Sequence, residues 1–149
     1  MFKKKKKTLS PVRIDTLIGQ QTHIKGDIEF SGGLRVDGKV TGNVSVIDDI
    51  DSLLTLSEKG SITGEIRVPN IIINGTISGN VYTVGQVELA DKAKVKGNLY
   101  YHLLEMTVGA EVNGQLIRMS ADNEGVLDLT HGIVNEDKAF QLEQKTNLD

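Results

Sequence analysis

The chain has 149 residues with no cysteine, no tryptophan and three histidines, which excludes a disulfide framework and any site that needs a thiolate. Its formal charge of −3 is unevenly divided: residues 1–14 carry six basic and no acidic residues, residues 15–119 nine basic and thirteen acidic, and residues 120–149 two basic and seven acidic. No apolar run approaches the roughly 18 residues typical of a membrane span, and the basic start lacks the apolar segment of a signal peptide, so we expect a cytoplasmic protein.

Residues 1–14 form a basic N-terminal segment without helical or strand periodicity, which predicts a disordered tail. A phenylalanine beside lysines is suited to an anionic membrane surface, where each lysine contributes about 1 kcal/mol and an inserted phenylalanine roughly 1.5–3 kcal/mol. One such tail is a weak anchor, and an array of tails binds much better through effective concentration. The predicted membrane-binding residues are Met1, Phe2, Lys3, Lys4, Lys5, Lys6 and Lys7. The alternative is a solvated tail that aids solubility.

Residues 15–119 contain six copies of one short phrase, an aliphatic residue, a polar residue, glycine, an acid or amide, and an aliphatic residue. The six glycines are Gly26, Gly42, Gly64, Gly79, Gly97 and Gly114, at intervals of 16, 22, 15, 18 and 17 residues. The alternation and the abundance of valine and isoleucine predict strands. An interval near 17 residues is too short for helical repeats or propeller blades, and it indicates one coil of a parallel β-helix with two or three short strands. Six coils stacked at about 4.8 Å would form a rod roughly 28 Å long.

The phrase also predicts the geometry of each coil. Its aliphatic residues, such as Ile77 and Val81, are expected to point into the lumen, the apolar interior of the rod, and Gly79 to lie at a corner because glycine reaches backbone angles that other residues avoid. The residue after each glycine would stack on the outside, where amides can form a hydrogen-bonded column. For Asp27 and Glu65, ordinary turn preference is a sufficient alternative explanation.

Two departures from the regular repeat predict further features of the coils. The long interval between Gly42 and Gly64 has its surplus in residues 47–52, an acidic stretch that predicts a bulged loop; a calcium site is the less favoured alternative because the spacing does not match an EF-hand. Extra glycines at Gly38 and Gly75 predict a second corner and therefore three-sided coils. Residues 120–149 lack the phrase, and we expect an acidic, mostly disordered C-terminal tail.

The sequence offers little that points to catalysis. His23, His102 and His131 occupy different phases of the repeat, so no metal site is expected, and no glycine pattern matches a nucleotide-binding loop. We predict that the chain is not an enzyme and needs no cofactor. The body is acidic and is expected to lack a basic face, so nucleic acid is not an expected partner.

The six glycine phrases and the Met1-Phe2-Lys3 start resemble the bactofilins, bacterial polymer-forming cytoskeletal proteins. The resemblance implies a right-handed parallel β-helix of about six windings with disordered termini over residues 15–119. It also implies end-to-end assembly without nucleotide into non-polar filaments at the inner face of the cytoplasmic membrane, which scaffold cell-wall or cell-polarity proteins. The Met-Phe-Lys start is similar to the membrane-targeting motif found in some members.

The physics of an open β-helix agrees with assembly, because uncapped strand edges favour further pairing and solenoids without polar caps tend to associate. We therefore predict a polymerisation interface formed by residues of the first and last coils, namely Leu17, Ile18, Ile24, Phe30, Leu103, Met106, Leu116 and Met119.

Two other classes remain as alternatives. A β-helical enzyme, of the hexapeptide acyltransferase or carbonic anhydrase type, would need a strict six-residue period or three converging histidines, and neither is evident. The other alternative is a monomeric binding module with ligands on one face of the rod. Visible filaments would distinguish a polymer-forming protein from both the enzyme and the binding module.

Overall fold

The computed structural model describes residues 13–119 and, further along the chain, the strands at residues 127–128 and 132–133. Between residues 13 and 119, eighteen strands follow one another without a helix, in six groups of three that we call coils. The first three coils consist of β1 (Ile14–Ile18), β2 (His23–Lys25), β3 (Ile28–Phe30), β4 (Gly33–Val36), β5 (Lys39–Thr41), β6 (Val44–Val46), β7 (Leu53–Leu56), β8 (Ser61–Thr63) and β9 (Ile66–Arg67). The last three consist of β10 (Asn70–Ile73), β11 (Thr76–Ser78), β12 (Val81–Tyr82), β13 (Gln86–Leu89), β14 (Lys94–Lys96), β15 (Leu99–Tyr101), β16 (Leu103–Met106), β17 (Glu111–Asn113) and β18 (Leu116–Arg118).

Each coil contributes one strand to each of three parallel, six-stranded sheets. The first strands of the coils form sheet A, the second strands sheet B and the third strands sheet C. Equivalent residues of successive coils pair in register: Ile71 lies between Leu54 and Val87. The prediction of an all-β, three-sided parallel solenoid with six windings is therefore confirmed.

The lumen holds the hydrophobic core of the rod. Strand alternation places Ile77 and Val81 of the repeat phrase inside, and both are fully buried, as predicted. Residues in the same column of sheet B are equally buried in the inner coils: Val40, Ile62, Ile77 and Val95.

The corners between sheets B and C contain the repeat glycines. Five of the six have the positive φ that favours glycine: Gly26, Gly42, Gly64, Gly79 and Gly97. The corner prediction is thus confirmed, and a recurring corner of fixed length keeps sheets B and C in register.

The corners between sheets A and B absorb much of the variation in repeat length. They contain two residues in coils two and four, at the predicted extra corners 37–38 and 74–75, and four residues in the other coils. The predicted surplus lies in the loop 47–52, which joins β6 to β7 on the outside of the rod.

A separate pair of short strands follows the rod. The strands β19 (Leu127–Asp128) and β20 (Gly132–Ile133) pair antiparallel, within the segment predicted as the acidic tail.

Candidate assembly surfaces

The two ends of the rod expose strand edges. Within the described residues, β1, β2 and β3 of coil one pair only with coil two, and β16, β17 and β18 of coil six pair only with coil five. Each end therefore presents three strand edges around the lumen.

Coil six exposes lumen residues that are fully buried in the coils before it. Met106 continues the column of Leu89, and Leu116 continues the column of Leu99. Met106 is 47% exposed and Leu116 43% exposed, whereas Leu89 and Leu99 are inaccessible to solvent. The apolar interior of the rod is consequently open at this end of the described chain.

The lumen residues of coil one are also less buried than their partners in the next coil, but they are less exposed than Met106 and Leu116 of coil six. Ile24, Ile28 and Phe30 are only partly buried, although their partners in coil two, such as Val40 and Val44, are fully buried. On sheet A this end is more polar, because Thr16 is paired with the lumen residue Leu34 and is exposed.

The structure separates the predicted interface residues into two groups. Met106, Leu116, Ile18, Ile24 and Phe30 lie in columns that face the lumen in neighbouring coils, although Ile18 is nearly covered already, with 5% exposure. The remaining three lie on the outside: Leu17 and Leu103 in outward columns of sheet A, and Met119 packed against the tyrosines of sheet C.

The polar residues that follow the corner glycines form a column along the rod, as predicted for the amides. Their side chains accept hydrogen bonds from the backbone N–H of the equivalent residue in the next coil rather than from a neighbouring side chain. Asn80 Oδ1 accepts from the Asn98 N–H at 2.9 Å, and Asn98 Oδ1 accepts from the Gln115 N–H at 3.0 Å. Asp27 takes part in the same way, accepting from the Asn43 N–H at 2.9 Å.

Glu65 is the exception in this polar column. Asn43 bonds the Glu65 N–H at 3.0 Å, but the Glu65 carboxylate turns to the guanidinium of Arg67. Arg67 lies in turn over the ring of Tyr82, with its guanidinium carbon 5.4 Å from the ring centroid.

An aromatic column on sheet C was missed in the sequence. Tyr82 and Tyr100 are paired in register and stack with centroids 4.8 Å apart, which is the spacing of adjacent strands. Ile117, Val84 and Met119 pack against them. The sequence does contain a pattern that predicts this column: the two tyrosines occupy the same position of the repeat, directly after the last aliphatic residue of the phrase and two positions after Asn80 and Asn98.

The acidic loop 47–52 is held by hydrogen bonds within the loop and from the backbone of Gly32 in the preceding coil connection. Asp49 accepts from the Asp51 N–H at 3.1 Å and from the Gly32 N–H at 3.3 Å, and Ser52 Oγ accepts from the Gly32 N–H at 2.9 Å. The Ser52 hydroxyl and the backbone N–H groups lower the pKa of Asp49, because they stabilise its charged form. In residues 13–119 no three His, Asp or Glu side chains are grouped so that they could share a metal ion.

The histidines within the described chain are far apart in the fold. His23 lies on β2 in coil one and shares a hydrogen bond of 3.0 Å with Thr41 Oγ1. His102 lies between coils five and six, where its Nδ1 is 3.2 Å from the Met119 carbonyl oxygen. His131 lies outside the described residues.

The expectation that the body lacks a basic face is wrong. The outward positions of sheet B include Lys25, Lys39, Lys94 and Lys96, with Glu111 as their only acid in residues 13–119. The net charge of the chain gives no indication of this basic face, because most acidic residues lie elsewhere: on the outward columns of sheets A and C, at the corners and in the loop 47–52.

The predicted membrane-binding residues, Met1 to Lys7, lie outside the described residues. In the part of the chain that is described, no helix has the length and apolarity needed to cross a membrane.

Comparison with known proteins places this solenoid in a family. The family model of the bactofilins, described as polymer-forming cytoskeletal, matches residues 16–117. Bactofilin BacO of Myxococcus xanthus (strain DK1622) is 26% identical over 102 residues, which cover 68% of this chain and 78% of BacO. Bactofilin BacP of the same strain is 24% identical over 102 residues, 68% of this chain and 41% of BacP. No solved structure matches the chain. Since the family match spans more than half of the chain and coincides with the six-coil solenoid, this protein belongs to the bactofilins, a family of polymer-forming cytoskeletal proteins.

Proposed function

We propose that this bactofilin assembles end to end, without nucleotide, into non-polar filaments that attach to the inner face of the cytoplasmic membrane and scaffold cell-wall or cell-polarity proteins. The observation that carries the proposal is the opening of the lumen at coil six, where the buried columns of Leu89 and Leu99 continue into the exposed Met106 and Leu116.

The energetics favour stacking over exposure. Burying one leucine or methionine side chain contributes roughly 1.5–3 kcal/mol, and covering the strand edges allows their backbone groups to pair. The same columns already stack five times within the chain, so a second copy can continue packing that this sequence performs internally.

Non-polar assembly has a specific geometric consequence. It requires two kinds of junction, one between two coil-six ends and one between two coil-one ends, and each junction is isologous. The open apolar lumen at coil six and the half-covered lumen at coil one give these two junctions different surfaces.

Assembly is tested by sedimenting the purified protein without nucleotide over a range of concentrations. We expect pelleted material above a critical concentration and filaments in the pellet by electron microscopy. A strictly monomeric protein at every concentration would contradict the proposal.

Membrane attachment is tested separately by deleting residues 2–7. We expect the deletion variant to form filaments but to lose co-sedimentation with vesicles that contain anionic lipid, because the lysines and Phe2 supply the attachment. Equal co-sedimentation of the variant and the wild type would reject this segment as the anchor.

A further inference from the structure

The outward face of sheet B, which we call the basic face, consists of two columns of side chains in register. One column contains His23, Lys39, Ser61, Thr76, Lys94 and Glu111. The other contains Lys25, Thr41, Thr63, Ser78, Lys96 and Asn113. The face therefore has two lysines near each end and a central field of hydroxyl groups.

Its charge differs from that of the rest of the rod. The outward columns of sheet A contain Glu88 and Glu105 with Arg35 as their cation, and the loop between sheets C and A adds three aspartates. On the basic face, Lys25, Lys39, Lys94 and Lys96 are all exposed. The rod is thus electrostatically two-sided although its net charge is negative.

The lysines at one end of the face are far enough from those at the other end for the two ends to act independently on an extended partner. Lys39 and Lys94 belong to the same column and are three strand steps apart, or about 14 Å at the usual strand spacing. This distance exceeds the Debye length of about 8 Å at physiological ionic strength, so repulsion between the lysines of the two ends is weak.

We propose that the basic face is a second membrane-contact surface, which lies against the phosphate groups of an anionic bilayer. This inference rests on the proposed membrane association and specifies which side of the rod faces the lipid. Lysines supply the charge, and Thr41, Ser61, Thr63, Thr76 and Ser78 supply hydroxyl donors for phosphate oxygens.

The composition of the face favours a bilayer over nucleic acid. Its twelve outward positions include no phenylalanine, tyrosine or tryptophan, and a single imidazole, that of His23 at one end, does not form a series of rings on which successive single-stranded bases could stack. In residues 13–119 the basic face is a flat sheet surface, with no helix or projecting two-stranded ribbon that could enter the groove of a duplex. A sheet face with charges in one plane suits a planar anionic surface, and assembly repeats it in every subunit, which multiplies weak contacts.

The first test compares two charge-matched double variants of the full chain by flotation with vesicles of phosphatidylcholine and phosphatidylglycerol at low ionic strength. The Lys94→Gln/Lys96→Gln variant should bind roughly tenfold more weakly than the wild type. The Lys59→Gln/Lys92→Gln variant should change less than about twofold, because these lysines lie on corners beside Glu58 and Asp91, which already offset their charge. All four side chains are exposed, so both variants are expected to fold.

The second test measures which face meets the lipid. Because the chain lacks cysteine, single variants Thr63→Cys, Thr55→Cys and Ser45→Cys place one fluorophore each on sheets B, A and C. An environment-sensitive label at residue 63 should brighten and shift to the blue on vesicle binding, while labels at residues 55 and 45 should not.

The outcomes separate this inference from the proposed anchor. If deletion of residues 2–7 abolishes binding while Lys94→Gln/Lys96→Gln binds like the wild type, the basic face is rejected and the N-terminal anchor stands. If the wild type does not bind anionic vesicles, the membrane association fails and the face fails with it. A response of the label at residue 63 to polyuridylate RNA but not to vesicles would reassign the face to nucleic acid.

Discussion

Gly79 lies so close to Gly64 of the preceding coil that a β-carbon on Gly79 would be 2.0 Å from the Gly64 carbonyl oxygen. Gly79 also has φ +146°, which side chains rarely tolerate. The corner therefore requires glycine for two reasons, backbone conformation and coil-to-coil contact. Gly26 in coil one has a similar φ of +137°, but nothing in the described chain lies within 4 Å of its β-carbon position.

Substitution of these two glycines separates conformation from contact. Gly79→Ala and Gly26→Ala share the backbone strain of order 1–3 kcal/mol, whereas only Gly79→Ala adds a clash with backbone. We expect Gly79→Ala to be less stable than Gly26→Ala by about 1–3 kcal/mol in denaturant unfolding followed by circular dichroism, below the concentration at which the protein assembles. Equal stability of the two variants would show that the close approach is unimportant.

The side-chain oxygens of the polar column are expected to stabilise the fold by accepting hydrogen bonds from the backbone of the next coil. Asn98→Ala removes the oxygen that binds the Gln115 N–H and should cost about 1 kcal/mol. Asn98→Asp keeps an acceptor and should cost less than about half as much. Gln115→Ala is the control at the end of the column, because no coil follows it within the described residues, and it should be nearly neutral. Thermal unfolding of the three variants checks the order.

The loop 47–52 predicts an acid-sensitive contribution to stability. Hydrogen bonds lower the pKa of Asp49 below its ordinary value of 3.8 in the folded protein, so the folded state binds the proton less readily than the unfolded state. The contribution is complete above the ordinary value and is lost as the pH falls through the lowered folded pKa. Asp49→Asn should therefore lower the unfolding temperature at pH 7, and the difference from the wild type should shrink below about pH 4. A difference that stays constant down to pH 2 would show that the charge of Asp49 is not involved.

Much of the solenoid was predictable because one residue pattern encodes one local geometry. The repeat phrase predicts that Ile77 and Val81 face the lumen and that Gly79 forms a corner, and the burial of the two aliphatic residues and the φ of Gly79 agree. The extra glycines at Gly38 and Gly75 likewise predict an additional corner in coils two and four, and the structure has these corners, with two residues each, between sheets A and B. These features depend on residues that are neighbours in the sequence.

The outer surface was predicted less well because it depends on register between coils. Lys39 and Lys94 are 55 positions apart, and they share a column only after corners of two and four residues have brought the strands into line. The pairing of Glu65 with Arg67, in place of a bond to the next coil, depends on the longer reach of glutamate and on the ring of Tyr82. Burial at the rod ends also depends on packing between coils: Ile18 and Leu116 have the same apolar character in the sequence, yet only Leu116 is substantially exposed.

End-to-end assembly through coil six is tested most directly by substitution of Leu116. Leu116→Lys places a charge in the open lumen column, where stacking would bury it at the cost of several kcal/mol. Val108→Lys is the matched control, since Val108 is an apolar residue of the same coil that is 93% exposed on the turn between β16 and β17, away from the lumen columns.

The decisive measurement is the particle mass and negative-stain appearance of wild type, Leu116→Lys and Val108→Lys, each without nucleotide. We predict filaments for the wild type and for Val108→Lys. For Leu116→Lys we predict dimers, because a non-polar filament that loses its coil-six junction keeps the junction between two coil-one ends. Monomers of Leu116→Lys would contradict the non-polar arrangement, and filaments of Leu116→Lys indistinguishable from the wild type would contradict assembly through the lumen end of coil six.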